Sequence, residues 1–155
     1  MKQLQFLLLF LSTLLLVNSC ASFDSPSEKD SFSVLGFNFS GCLDDSKSSD
    51  NPHIVTLEAK NGFLYIYRKG PFNCATKLSV NISKEGDVIN IEEKNLAQAV
   101  AKCDCPMEYS CAIDKMEKKV YIINFVNKFK PFRFTYYEGA VVTVELSSLY
   151  SDWVK

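Results

Sequence analysis

The chain reads as all-β, a single small β-sandwich with a small β-barrel as the alternative, placed after a signal peptide and a flexible tether. Three observations lead there. Beyond residue 52, apolar and polar residues alternate with a period of two in one short segment after another, the pattern of strands that bury one face. Turn signals separate those segments at hairpin spacing: Asn61-Gly62, Glu85-Gly86-Asp87 and Glu138-Gly139. Scarcely any stretch keeps the helical period, and many short strands divided by turns are the signature of a sandwich or a barrel.

In residues 1–19, Lys2 is the only charge, and residues 4–17 are apolar except for Gln5, Ser12 and Thr13. That is the build of a secretory signal peptide. It falls short of the ~20 apolar residues that span a bilayer. Val17-Asn18-Ser19-Cys20 resembles a bacterial lipobox, which implies cleavage before Cys20 and acylation of its thiol. The expected location is therefore the bacterial outer membrane, through a lipid anchor at Cys20, with the periplasmic or surface face left open. The alternative is cleavage after Ala21, which releases a soluble secreted protein. Residues 20–31 hold, after Cys20 and Ala21, only Ser, Asp, Glu, Lys and Pro with a single Phe23, too polar to order themselves, and read as the tether.

The domain proper is expected over residues 32–155. Phe32, Val34 and residues 37–39 suggest a first strand. Residues 43–51 carry Asp44, Asp45 and Asp50 without the alternating carboxylates and distant Glu of an EF-hand, and so read as a solvated loop. Residues 54–59 and 63–67 form a hairpin through Asn61-Gly62, and residues 75–83 and 88–91 form a second. Residues 95–102 suit a helical turn or a loop. Residues 120–126 are apolar on both faces, which predicts a central strand covered on both sides. Residues 132–136 and 140–146 are expected to pair as a third hairpin through Glu138-Gly139.

With Cys20 lipidated, the candidates for disulfides are Cys42, Cys74, Cys103, Cys105 and Cys111. The number is odd, so one is left over, and the spacing does not say which. Cys103 and Cys105 lie on one side of an extended chain with Cα atoms ~6.5 Å apart, and closing so small a ring is strained. They are expected to seek separate partners. A bridge from Cys74 to Cys103 or Cys105 closes a loop of about thirty residues and contributes ~3.5 kcal/mol on the chain-entropy model.

Phe72-Asn73-Cys74, Ile89-Asn90-Ile91-Glu92-Glu93, Cys103-Asp104-Cys105-Pro106 and Tyr121-Ile122-Ile123 together resemble a pattern shared by small uncharacterised lipoproteins of Bacteroidetes-type bacteria. The resemblance covers the middle third of the chain. It implies a secreted, lipid-anchored β domain and carries no activity. The chain departs from the pattern at Ala75, where members often have a second cysteine, and in its additional Cys111. Both departures leave the pairing of the cysteines open.

No catalytic constellation is evident, so the expectation is a non-enzyme without cofactor or metal. His53 is the only histidine and is expected at the surface. Neither a nucleophile elbow nor a phosphate loop nor a zinc-protease helix is present. The adjacent pairs Asp44-Asp45 and Glu92-Glu93 point to opposite faces of an extended chain and cannot flank one bond, so those acids read as solvated. A net charge of −1 gives no case for nucleic acid.

A binding surface has more support. Phe63, Tyr65 and Tyr67 share one strand face, and Tyr136, Tyr137, Tyr150 and Trp153 add aromatics late in the chain. Flat rings on a sheet suit a sugar or a protein partner. The function expected is a non-catalytic binding or structural interaction module whose partner is an envelope protein or glycan. The alternative is an envelope inhibitor or accessory factor for a hydrolase, which calls for an exposed rigid loop near residues 103–111.

Overall fold

The computed structural model describes residues 32–43 and 52–149. Cys20, the signal peptide, the tether, most of the acidic loop, Tyr150 and Trp153 lie outside the described residues. The strands are β1 (Val34–Phe39), β2 (Ile54–Lys60), β3 (Phe63–Asn73), β4 (Leu78–Glu85), β5 (Val88–Asn95), β6 (Asp104–Ile113), β7 (Val120–Phe125), β8 (Phe132–Thr135) and β9 (Val141–Glu145), followed by a 3-10 turn at Leu146–Leu149. Two sheets pack face to face, one of five strands in the order β1-β6-β3-β2-β9 and one of four in the order β4-β5-β7-β8. The fold is a sandwich and not a closed barrel.

Alternation decides which side chains enter the space between the sheets. The larger sheet sends in Val55, Leu57 and Ala59 from β2, Leu64 and Ile66 from β3, and Tyr109, Cys111 and Ile113 from β6. The smaller sheet answers with Ile82, Ile89, Ile91, Tyr121, Ile123, Phe125 and Phe134, in one continuous cluster. Each fully buried Leu or Ile contributes about 1.5–3 kcal/mol by leaving water. The first two hairpins form as the turn residues demand: β2 pairs β3 from Lys60↔Phe63 to Ile54↔Lys69, and Asn61 and Gly62 have φ of 55° and 78°. The second closes at Glu85↔Val88, with Gly86 at a φ of 59°.

Three expectations are corrected. Residues 104–113 are neither a loop nor an exposed segment: they form β6, which pairs β3 along ten residues and β1 on its other side. β7 is covered on one face only, because Tyr121, Ile123 and Phe125 are buried while Val120 and Ile122 are exposed. Apolar residues on both faces of a segment do not by themselves supply a second covering layer. β8 and β9 are not a hairpin; β8 pairs β7 in the smaller sheet and β9 pairs β2 in the larger. The Glu138-Gly139 turn carries the chain across the sandwich, with the Glu138 carboxylate accepting from the Asn61 amide at 2.8 Å. Of the two readings open for residues 95–102, residues 96–102 take the loop.

Candidate functional site

β3 runs through the middle of the larger sheet, and its alternate residues serve two different surfaces. Outward point Phe63, Tyr65 and Tyr67, as the sequence predicts. Phe63 and Tyr65 are half-buried with ring centroids 6.1 Å apart, and Tyr67 is 44% exposed. Tyr67 lies in a cross-strand row with Thr56 and Ser110, and beyond Ser110 stands Asn38. This row lines a recess of about 410 Å³, with Lys69 and Glu108 at one end. A second recess of about 440 Å³ lies along Tyr65, Phe63, Leu35 and Ala112. On edge strand β1, exposed Leu35 continues this surface opposite Ala112, whereas Val34 stands opposite buried Ile113 and Phe37 packs on buried Tyr109 with ring centroids 5.9 Å apart. Burial beside Glu58 and Tyr65 raises the Tyr67 phenol, so it stays protonated and can donate as well as accept a hydrogen bond at neutral pH. Of the other predicted aromatics, Tyr136 is buried and Tyr137 is 52% exposed.

Inward from the same strand comes Arg68, 1% exposed, and it meets Glu93 from the opposite sheet with Nε 3.4 Å from Oε1. Tyr109 donates to Glu93 Oε1 at 2.8 Å, and Lys128 donates to Oε2 at 2.8 Å. Both carboxylate oxygens are thus engaged, which is the condition for keeping a charge in an apolar interior. Arg68 Nη1 donates to the Lys69 carbonyl. The rings of Phe72, Phe125 and Phe129 surround the guanidinium at 5.6, 5.8 and 5.4 Å. This corrects the reading of Glu93 as solvated. Its neighbour Glu92 does face outward, where it pairs with Lys94 at 2.9 Å.

His53 is also not a surface residue. It is half-buried, and its Nδ1 lies 2.7 Å from Arg68 Nη2. An arginine only donates, so Nδ1 accepts and the ring proton sits on Nε2. Burial first, then the charge of Arg68, lowers the His53 pKa to about 4, and the imidazole is neutral at pH 7. The strand leaves room for it at Gly70, where a Cβ would stand 2.5 Å from His53 Nδ1 and 2.7 Å from Arg68 Nη1. His53, Arg68, Glu93, Tyr109 and Lys128 therefore form a lock between the sheets. Sequence reasoning missed all of it except the presence of the residues; Arg68 two positions after inward Ile66 was the available signal.

The cysteines pair as Cys42–Cys105 and Cys74–Cys103, with Cα atoms 5.5 and 5.6 Å apart. Cys103 and Cys105 do take separate partners, and Cys111 is the one left over. It is not in a disulfide because it points into the core, where burial pushes its thiol up to about 12 and keeps it unreactive. The sulfurs of Cys42, Cys74 and Cys105 lie within 4.8 Å of one another. In disulfides they are not the thiolates that bind metal.

Comparison with protein-family models, with curated proteins and with solved structures finds no match for this chain.

Proposed function

We propose that the protein is an exported cell-envelope lipoprotein, anchored through Cys20, whose sandwich is a non-catalytic interaction module that binds a glycan or protein of the envelope through the outer face of its larger sheet. One observation carries the binding role: Tyr67, exposed in the middle of a sheet, stands between two recesses with Tyr65 and Phe63 beside it. A central strand normally surrounds its side chains with neighbours, and rings left open there offer a flat apolar surface with a polar rim. The lipid anchor is supported by residues 1–20 of the sequence. Burying two or more acyl chains, at ~0.8 kcal/mol per methylene, holds a protein on a membrane.

The test has two parts. Cys20→Ala should move the protein from the membrane fraction to the soluble one, and retention on membranes rejects the anchor. Purified protein should co-sediment with isolated envelope, and Tyr67→Ala together with Tyr65→Ala should abolish this without changing the circular dichroism. Unchanged sedimentation of the double variant rejects the sheet face as the contact.

A further inference from the structure

Four cysteines meet at one end of the β3–β6 pair. The two strands are in register as far as Phe72↔Cys105 and Asn73↔Asp104. Cys74 and Cys103 then close the strand ends with one bridge, and Cys105 reaches across to Cys42, on the segment after β1, with the other. The two bridges are not independent groups. The sulfurs of Cys42, Cys74 and Cys105 all lie within 4.8 Å of one another, so one sulfur of the Cys74–Cys103 bridge stands beside both sulfurs of Cys42–Cys105.

Burial grades the cluster. Cys42 is exposed, Cys74 and Cys103 are half-buried, and Cys105 is 4% exposed. An external thiolate therefore reaches the sulfur of Cys42 and not that of Cys105. A thiolate released at Cys105 is poorly hydrated, which makes it basic and strongly nucleophilic, and the Cys74 sulfur is within its reach. Bonds that involve no sulfur hold the main chain around the cluster. Ser40 N donates to Glu108 O at 2.9 Å, and Leu43 N donates to Pro106 O at 2.9 Å. Asn73 Nδ2 donates to the carbonyls of Ala101 at 2.7 Å and Cys103 at 3.0 Å, and Cys74 N donates to Cys103 O at 3.0 Å. The cysteines can change partners while these segments stay docked.

We propose that the two disulfides are a single dithiol-responsive exchange unit, in which reduction begins at Cys42, emerges at Cys103, and leaves a new bridge between Cys74 and Cys105. A thiolate of an external dithiol attacks Cys42 Sγ. The Cys42–Cys105 bond breaks and its electron pair leaves on Cys105. The Cys105 thiolate attacks Cys74 Sγ and forms the Cys74–Cys105 bond; the Cys74–Cys103 bond breaks, and the pair leaves on Cys103, which takes up a proton. The second thiolate of the dithiol attacks the sulfur bound to Cys42, closes the dithiol's own disulfide and releases Cys42, which is protonated. Two electrons and two protons pass from the dithiol to the chain, and one protein disulfide remains of two. Negative charge moves from a buried sulfur to a better hydrated one, which gives the exchange its direction. None of this depends on a ligand at the Tyr67 face.

The chain carrying Cys20→Ala, which removes the sixth cysteine, is to be treated with stoichiometric dithiothreitol and quenched in acid. Labelling with N-ethylmaleimide in urea and fragmentation mass spectrometry then locate each thiol and bridge. Cys42 and Cys103 should become labelled, and the remaining bridge should join Cys74 to Cys105; Cys111 is labelled with or without dithiothreitol. Glutathione, which has no second thiol, should stay as an adduct on Cys42 beside the same new bridge. With Cys42→Ser and Cys105→Ser together, the internal nucleophile is gone, and dithiothreitol should open Cys74–Cys103 at least about tenfold more slowly than in the parent. Label on Cys42 and Cys105 with Cys74–Cys103 retained overturns the proposal. So does label on Cys74 and Cys103 with Cys42–Cys105 retained, label on all four, no reaction with excess dithiothreitol, or an equal opening rate in the double variant.

Discussion

The two faces of β3 carry opposite chemistry through neighbouring residues. Tyr67 is 44% exposed and Arg68 is 1% exposed, although an aromatic ring is the better core residue and a guanidinium the better surface one. Register outranks hydropathy here. Tyr67 follows Phe63 and Tyr65 outward, and Arg68 follows Leu64 and Ile66 inward. The cost of burying the cation is offset because Glu93, His53 and three aromatic rings meet it there. The outer face has no such assembly and leaves Tyr67 open, while the inner face holds the two sheets at a fixed spacing.

That contrast can be broken most severely at Glu93. Glu93→Ala removes the carboxylate that meets Arg68 in the interior and should cost about 3–5 kcal/mol in urea unfolding. Replacing both partners, Arg68→Met with Glu93→Leu, should recover most of the loss, since an apolar pair needs no charge compensation. Recovery separates the penalty of removing one partner from any intrinsic worth of the pair. Gly70→Ala, on the same inner face, forces His53 and Arg68 apart and should cost about 1–3 kcal/mol as an overpacked site, read from the same unfolding midpoint.

His53 sharpens the comparison through pH. Its pKa is about 4 in the folded chain against 6.5 for the free side chain, so between those values the unfolded chain holds the proton more often. For this group, stability is fully present above about pH 6.5 and falls as the pH drops towards about 4. Unfolding midpoints of the parent at about pH 4.5 and about pH 7.5 should differ more than those of His53→Gln. On the outer face the effect on stability should be smallest. Tyr67→Ala should cost about 0.5 kcal/mol, as surface substitutions do, while binding is lost; a large loss of stability would assign Tyr67 to the fold and not to a contact.

The strands with strict alternation and the two hairpins closed by Asn61-Gly62 and Glu85-Gly86-Asp87 were legible because their signals are local: side-chain period and the positive φ of the turn. So were the separate partners of Cys103 and Cys105, which follow from ring strain. β6 was less legible, although Met107, Tyr109, Cys111 and Ile113 alternate with Glu108, Ser110 and Ala112, because the clustered cysteines drew residues 103–111 into the question of disulfides and of an exposed rigid loop. The β8–β9 pairing was misread, since a turn residue sets a bend and not the sheet each arm will join.

The candidate sites divide the same way. Composition and spacing alone placed Phe63, Tyr65 and Tyr67 on one face of a strand, and they determined the all-β class. Only the tertiary structure decided that this face lies open, that Glu93 is buried while Glu92 is not, and that Asn73 holds a loop beginning more than twenty residues later. The physical reason is range. Alternation and turn preference act between neighbours in the chain, whereas a hydrogen bond from Asn73 to Ala101 or an ion pair from Arg68 to Glu93 exists only after two sheets have found their register.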